Sequence, residues 1–309
     1  MDKNSSILVT GANGLVGSTL VKHLILSGFN NVHPITRNHA DLRSFRQTME
    51  VFERIKPEFV FHIAARVYGI WGNLMNKGLS FYENVKINTN VVEASRIVGV
   101  KKICAMGSGA VYPYPAASRL LNEGDLLMGE PHFAEDSYAH AKRALLAMLR
   151  AYEESYHLQW AFVVSGNLYG PGDKFDTING HVIPSLVKKF YDKIAKKSEV
   201  IIWGDGHAQR DFLYSEDAAA ALVAIMKHVD GSINLGSGQV VSILDVVREL
   251  CKISTINIAE ILWDKTKPNG QNHRAYNLEK LRAIGFEVEN DLSSGLKKTW
   301  DWYIKNHDV

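Results

Sequence analysis

Tyr138 and Lys142 stand four residues apart, a spacing that puts both side chains on one face of a helix. An ammonium beside a phenol stabilises the tyrosinate and lowers the phenol from its ordinary pKa of about 10. Bringing it near 7 takes about 4 kcal/mol of differential stabilisation. A tyrosine so placed passes a proton to a carbonyl oxygen while a reductant supplies hydride to the carbon. The Tyr-x-x-x-Lys spacing occurs three times, at Tyr82/Lys86, Tyr138/Lys142 and Tyr276/Lys280, so spacing alone selects none of them. Position does, because only Tyr138 opens a helix that follows the apolar run Lys102–Met106 and its polar exit, Gly107-Ser108-Gly109. Ser108, at the carboxyl end of that strand, is placed to hydrogen-bond the same oxygen. The alternative for Tyr138, and the preferred reading of the other two pairs, is a half-buried aromatic without a chemical task.

A second chemical pattern precedes it. Gly11, Gly14 and Gly17 follow the strand Ile7–Val9 directly and open a helix, with Asn13, Leu15 and Val16 between them. Glycines here allow a tight turn, close approach of the backbone to a pyrophosphate, and close packing of helix on strand. The helix then presents free N–H groups and the positive end of its dipole to that pyrophosphate. A plain glycine-rich turn is the alternative. At the end of the next strand an acidic residue would favour NAD and an arginine NADP. The sequence there reads Ile35-Thr36-Arg37-Asn38, so Arg37 points to NADP, with Asp41 and Leu42 facing the adenine edge.

These residues need a scaffold, and the chain supplies one. Ile7–Val9, Val32–Thr36, Phe59–Ala64, Lys102–Met106 and Ala161–Ser165 are short apolar runs. They alternate with helix-period stretches at Leu15–Leu26, Ser44–Ile55, Phe81–Val98 and Tyr138–His157. Buried runs alternating with helices mean βαβ units and a parallel sheet, whose ligands sit outside the carboxyl ends of the strands. Beyond Asn167 the pattern loosens. Helices are expected at Val182–Lys197, Ser215–Lys227, Ile243–Cys251 and Leu292–Lys305, and strands at Val200–Trp203 and Ile233–Leu235. The chain has 309 residues, enough for a sizeable core without disulfides or metal. Its net charge of +2 gives no footprint for nucleic acid or an anionic membrane, and no apolar run approaches the ~20 residues of a membrane span. Cys104 and Cys251 form no C-x-x-C, which excludes a zinc ribbon, and no metal site is expected. With no signal peptide, a cytoplasmic enzyme is expected.

The glycine turn, Ser108 and Tyr138-x-x-x-Lys142 resemble the extended short-chain dehydrogenase/reductase superfamily and, within it, the GDP-L-fucose synthase family. The carrying segments are Met106-Gly107-Ser108-Gly109-Ala110-Val111-Tyr112-Pro113 and Asn167-Leu168-Tyr169-Gly170-Pro171-Gly172-Asp173. They continue with His181-Val182-Ile183-Pro184, Trp203-Gly204-Asp205-Gly206, Arg210-Asp211-Phe212-Leu213 and Asn234-Leu235-Gly236-Ser237-Gly238. The resemblance implies a Rossmann-type doubly wound parallel sheet with a smaller C-terminal α/β substrate domain. It divides the chain into residues 1–165 plus about 211–235 for NADP, and about 166–210 plus 236–309 for the nucleotide sugar. It implies that Ser108, Tyr138 and Lys142 form a reducing triad with NADPH. Gly11, Asn13, Gly14, Leu15, Val16, Gly17, Arg37, Asp41 and Leu42 would hold that cofactor, with Ala64 and Ala65 under the nicotinamide. Asn13 stands where the family often has an arginine near the 2′-phosphate. Asn167, His181, Val182, Lys189, Trp203 and Arg210 would line the GDP-sugar pocket with Ser108, the cations meeting the diphosphate. Lys188, Lys193, Lys196 and Lys197 read as a solvated helix face. A homodimer is implied through Phe81–Val98 and Ala139–Tyr156, with Leu145, Leu146, Met148 and Leu149 among the apolar residues.

One departure carries the most information. The family's 3,5-epimerisation uses a cysteine two residues after the catalytic serine, paired with the histidine before Val-Ile-Pro. Here that cysteine is Ala110, and a methyl group transfers no proton. Inversion beside a ketone needs acid/base groups on two faces. The expectation is therefore a 4-keto reductase of a GDP-4-keto-6-deoxy sugar, hexose or heptose, without epimerase activity, making a deoxysugar for surface glycans. His181 then orients the sugar, serves structure, or acts as an acid/base. The bulky, glycine-hinged segment 66–72 would widen the pocket for a longer sugar. The alternatives are a full epimerase/reductase using His181 and an acid from elsewhere, an NAD-retaining epimerase or dehydratase, and a non-catalytic dinucleotide sensor. Gly109-Ala110 counts against a dehydratase, which usually carries an acid/base pair there.

Overall fold

Short β-branched and aromatic runs bounded by Gly, Pro or charge become strands, and the amphipathic stretches between them cross over as helices. The computed structural model describes residues 1–116, 118–178, 180–267 and 271–307. In chain order it begins β1 (Ile7–Thr10), α1 (Leu15–Leu26), β2 (Val32–Ile35), α2 (Phe45–Ile55) and β3 (Phe59–His62). It continues with α3 (Ile70–Met75), α4 (Lys77–Ile97), β4 (Lys102–Met106), α5 (Asp136–Tyr156) and β5 (Gln159–Ser165). Then come β6 (Asn167–Tyr169), α6 (Val182–Lys196), β7 (Val200–Trp203), β8 (Gln209–Tyr214), α7 (Ser215–His228) and β9 (Gly231–Leu235). The remainder is β10 (Val240–Ser242), α8 (Ile243–Ser254), β11 (Ile261–Asp264), β12 (His273–Arg274), α9 (Glu279–Ala283) and α10 (Leu292–His307).

Six strands form one sheet in the order β2-β1-β3-β4-β5-β9, every neighbour parallel. All four residues of β1 and all five of β4 are buried, as a sheet covered on both faces requires. From β1 the chain moves to β2 on one side and returns at β3 on the other, which opens a crevice at their carboxyl ends. The second region has its own core around Tyr169, Phe190, Phe212, Tyr214, Leu250 and Trp300. Its strands are short. β8 pairs with β6, β10 and β12, and β7 pairs with β11.

The fifteen helices and strands expected in the first region and beyond Asn167 occur within a few residues of the stated positions. β8 and β11 were not foreseen, and the other omissions share a cause. β6, β10 and β12 have two or three residues, and α3 and α9 have six and five, too short to show a period. Residues 211–214, expected with the cofactor half, lie in β8, which pairs within the smaller sheet while its Leu213 packs into the large core with α7 and β9. Within the segment 66–72, α3 begins at Ile70 after Gly69. Leu145, Leu146 and Leu149 lie in the subunit's own core, which removes them from any surface offered to a second copy. Cys104 and Cys251 are buried and unpaired. Among the described residues no helix is long and apolar enough to cross a membrane.

A buried polar chain ties the parts together. Thr10 Oγ1, at the end of β1, accepts the Ile63 and Ala64 amides and contacts His62 Nδ1 at 3.0 Å. His62 Nε2 meets Asn88 Oδ1 of α4 at 3.0 Å, and Asn88 Nδ2 donates to the Ala141 carbonyl of α5. Burial, reinforced by the Lys142 charge, pushes His62 down to about 3. The unfolded chain therefore takes up a proton near pH 6.5 that the native state refuses, so stability rises with pH through that region and falls as pH drops from about 6.5 toward 3. Its limiting slope is about 1.4 kcal/mol per pH unit. Urea unfolding at pH 7 and pH 5 should show a smaller loss of stability on acidification for His62→Gln than for the parent chain. Equal losses would contradict this assignment.

Candidate active site

The carboxyl edge of the large sheet opens into a cavity of about 920 Å³, within the range of ligand pockets. The β1–α1 turn contributes Gly11, Asn13, Gly14, Leu15, Val16 and Gly17, the exit of β2 contributes Arg37, Asp41 and Leu42, and the exit of β3 contributes Ala64 and Ala65. Ser108 follows β4, and Tyr138 and Lys142 come from α5. The second region supplies Asn167, His181, Val182, Lys189, Trp203 and Arg210. The candidate residues, dispersed over two hundred positions of sequence, thus line one space.

The reactive end is built on Lys142. It has no exposed surface, its Nζ donates to the Met106 carbonyl at 2.7 Å, and it lies 5.9 Å from the Tyr138 ring centre. Burial pulls Lys142 down to about 8. For Tyr138 the expected direction is reversed. Burial pushes the phenol up, the Glu135 carboxylate adds to this, and only a hydrogen bond with Ser108 works the other way. The spacing argument counted a neighbouring cation and could not count burial or an unforeseen anion. A phenol held protonated is the form that donates to a carbonyl oxygen, and Lys142 bears on the tyrosinate left behind. The other two pairs separate cleanly. Lys86 meets Tyr82 at the surface, and Lys280 donates to the Ser232 carbonyl, away from the buried Tyr276.

Three residues beside Tyr138 escaped the sequence reading. Arg274 Nη2 donates to Glu135 Oε2 at 2.7 Å and its Nε donates to Gln271 Oε1 at 3.3 Å, and all three line the cavity. Burial works to raise the Glu135 carboxyl, but Arg274 outweighs it and holds the group below the usual range. Glu135 and Arg274 are 139 residues apart and belong to no recognisable motif, so no local signal announced the pair. Arg210 lies beside Arg274 in register on the neighbouring strand. Burial, then the Arg274 charge, brings Arg210 down to about 10. Among the described residues its guanidinium has no carboxylate bonded to it, so an anion in the cavity would relieve it.

Next to Ser108, Tyr276 occupies the space a side chain at 109 would need: a Cβ on Gly109 would stand 2.0 Å from Tyr276 Oη. Ala110 is buried against Tyr138, Ala139 and Ala65, and its amide donates to Ser108 Oγ at 3.2 Å. On the far side Lys189 Nζ donates to the Ile201 carbonyl and lies 5.8 Å from the Trp203 ring centre. Lys188 and Lys196 are tied to Asp192 and Lys193 to Glu260, outside the cavity.

The dinucleotide half fits its expected occupant. Gly11 has φ +67° with a would-be Cβ 2.9 Å from the Ala64 backbone, and a Cβ on Gly17 would stand 2.1 Å from the Gly11 carbonyl oxygen. No side chain caps the start of α1 and its first turn has no acid, so its free N–H groups face the cavity without a competing negative charge. Arg37 is exposed at the rim. Asp41 differs from expectation in being engaged: its carboxylate binds Arg43 at 2.7 Å, which brings it down to about 2. Arg43, another residue the sequence did not single out, also bonds Glu83 at 2.5 Å.

Residues 7–236 match the NAD dependent epimerase/dehydratase family. Over 311 residues the chain is 35% identical to a probable GDP-L-fucose synthase of Oryza sativa subsp. japonica, covering 99% of this chain and 94% of that protein. A GDP-6-OMe-4-keto-L-xylo-heptose reductase from Campylobacter jejuni superposes with a TM-score of 0.92 at 28% identity, over 99% of each chain. A GDP-mannoheptose C4 reductase from the same organism, with NADP bound, superposes at 0.87 with 30% identity, over 98% of this chain and 99% of that one.

The Glu135–Arg274 pair yields an energetic test. Arg274→Met leaves a carboxylate buried without its partner and should cost about 3–5 kcal/mol. The double variant Arg274→Met/Glu135→Leu should recover most of that loss. Denaturant unfolding of both variants checks this, and equal destabilisation by the single and the double change would contradict the role given to the pair.

Proposed function

The chain belongs to the NAD dependent epimerase/dehydratase family, within the extended short-chain dehydrogenases/reductases, and on that premise we propose that it is an NADPH-dependent 4-keto reductase of a GDP-4-keto-6-deoxy sugar. The single observation that carries this reading is the buried Tyr138, kept protonated against Ser108 and near Lys142 in the cavity at the carboxyl edge of the sheet. Gly11, Gly14 and Gly17 would hold the cofactor's diphosphate and Arg37 its 2′-phosphate. When bound, NADPH supplies the hydride that a ketone carbon accepts. Ser108 and Tyr138 donate hydrogen bonds to the ketone oxygen, Tyr138 gives up its proton as charge develops there, and Lys142 stabilises the tyrosinate. Arg210 and Lys189 would meet the sugar diphosphate, with Trp203 beside them.

Support for reduction without inversion comes from what stands beside the triad. Gly109 and Ala110 carry no proton-transfer group, and Arg274 keeps Glu135 ionised, so it is no proton donor at neutral pH. This weighs against the bifunctional epimerase/reductase. The comparison enzymes are named for GDP-heptoses and for GDP-fucose, which supports a hexose or a heptose as the sugar.

With a GDP-4-keto-6-deoxy sugar the enzyme should oxidise one NADPH per sugar reduced. Tyr138→Phe should lower kcat by about 10²–10⁴-fold, the usual scale of a lost general acid. A Tyr138→Phe enzyme with undiminished activity would overturn the assignment. Arg37→Ala should raise KM for NADPH by about tenfold or more, as loss of a charged hydrogen bond predicts, while leaving KM for NADH nearly unchanged. Steady-state assays with both cofactors check it.

A further inference from the structure

An ion pair at the edge of the reacting centre leaves one carboxylate oxygen unengaged. Glu135 immediately precedes α5 and Arg274 ends β12, so the two regions of the chain meet in this pair. Arg274 Nη2 donates to Glu135 Oε2 at 2.7 Å, and its Nε donates to Gln271 Oε1 at 3.3 Å, which fixes the guanidinium at two points. Among the described residues nothing donates to the other carboxylate oxygen, Glu135 Oε1. Arg274 and Gln271 are buried, whereas 21% of the Glu135 side chain is open, and all three line the cavity.

Two independent features put this carboxylate beside the groups assigned to the ketone oxygen. Glu135 is the N-cap of α5 and Tyr138 its third residue, positions whose side chains lie over one another at a helix start. On the other side Arg274 packs against the residue after Ser108, since a Cβ on Gly109 would stand 3.2 Å from Arg274 Cδ. The pair therefore adjoins both Tyr138 and Ser108.

Arg274 keeps Glu135 ionised, and an ionised carboxylate only accepts hydrogen bonds. Its free oxygen calls for a donor from whatever fills the cavity. On the reading above, on which this inference rests, that occupant is a 4-keto sugar with its ketone oxygen at Ser108 and Tyr138. The sugar donor nearest that oxygen is a hydroxyl on a carbon beside the carbonyl. Of those two carbons, C5 carries the ring oxygen and C3 carries the hydroxyl. We propose that Glu135 is a specificity-determining residue that accepts a hydrogen bond from the C3 hydroxyl, so that the enzyme takes 4-keto sugars hydroxylated at C3 in preference to 3-deoxy sugars. The bond is made to substrate and transition state alike, so its loss raises KM and leaves kcat nearly unchanged. A C3 methylene would desolvate the carboxylate without giving it a partner, which is how such a site rejects an analogue lacking the hydroxyl.

The test compares NADPH-driven reduction of GDP-4-keto-6-deoxymannose and of GDP-4-keto-3,6-dideoxymannose by the full chain. The parent enzyme should favour the hydroxylated sugar by about 100-fold in kcat/KM, the scale of a hydrogen bond to a charged group. Glu135→Gln should narrow that preference to about tenfold or less, through a higher KM for the hydroxylated sugar alone. A general weakening of the fold would slow both sugars together and leave the ratio unchanged. Should Glu135→Gln prove unfolded by circular dichroism, Glu135→Asp takes its place with the same expectation, since it keeps a charge for Arg274 and withdraws the oxygen by one methylene. Equal or greater kcat/KM for the dideoxy sugar in the parent overturns the inference and leaves the reductase reading intact. A 100-fold preference that survives the change at Glu135 also overturns it. An enzyme that reduces neither sugar refutes the reductase reading and the inference together.

Discussion

A lysine with no exposed surface fixes the geometry on which everything else depends. Lys142 donates to the carbonyl of Met106, the last residue of β4, and so pins α5 to the carboxyl end of the central sheet. An ammonium in that position is costly, as its pull down to about 8 shows, and it persists because the strand-end carbonyl accepts one of its protons. Ser108 follows Met106 by two residues, and Tyr138 precedes Lys142 by one turn. Fixing one bond therefore sets all three side chains around one point. The adjacent Ala141 carbonyl takes the Asn88 amide, and through His62 and Thr10 the same anchoring reaches the glycine turn. The helix that carries Tyr138 and the glycine turn after β1 are parts of one polar network.

Around this point the two sides of the cavity differ in what they can do with a proton. The side formed by β4 and α5 holds a protonated phenol, a buried ammonium and a carboxylate kept ionised by Arg274. Beside Ser108 it is blank, because Tyr276 fills the space at Gly109 and Ala110 is packed away. The opposing segment brings Asp173 and His181 to the cavity. Protonation of an oxygen and stabilisation of its charge belong to the first side. Inversion of a neighbouring carbon would need proton-transfer groups on both, and on the first side the positions after Ser108, Gly109 and Ala110, supply none besides the phenol that serves the oxygen. The second distinction is between the two arginines. Arg274 is satisfied by Glu135, whereas Arg210 is left facing the cavity, which makes Arg210 the better partner for a diphosphate.

Much of this was legible in the sequence, for reasons that particular residues make plain. β1, β4 and α1 were readable because each is long enough to show an apolar run or a helical period, and Gly11 and Gly17 because no other residue fits beside Ala64 and the Gly11 carbonyl. Tyr138 and Lys142 were found from a four-residue spacing joined to the strand before them. Arg274, Gln271 and Glu135 were not, since a contact across 139 residues leaves no local mark. Arg43 was not, since its bond to Glu83 forms only when α4 packs beside the exit of β2. The direction of the Tyr138 shift was misjudged for a related reason: a spacing reveals a neighbouring lysine but says nothing of burial. The leucines Leu145, Leu146 and Leu149 show the converse, since an apolar stripe does not say whether it faces its own core or another subunit.

The central claim is that the site protonates an oxygen and reduces its carbon without inverting the neighbouring centres. It is tested most directly by the configuration of the product. Given GDP-4-keto-6-deoxymannose and NADPH, the account predicts a single reduced sugar whose C3 and C5 keep the configuration of the substrate, read from its proton coupling constants. A product inverted at both centres would contradict it.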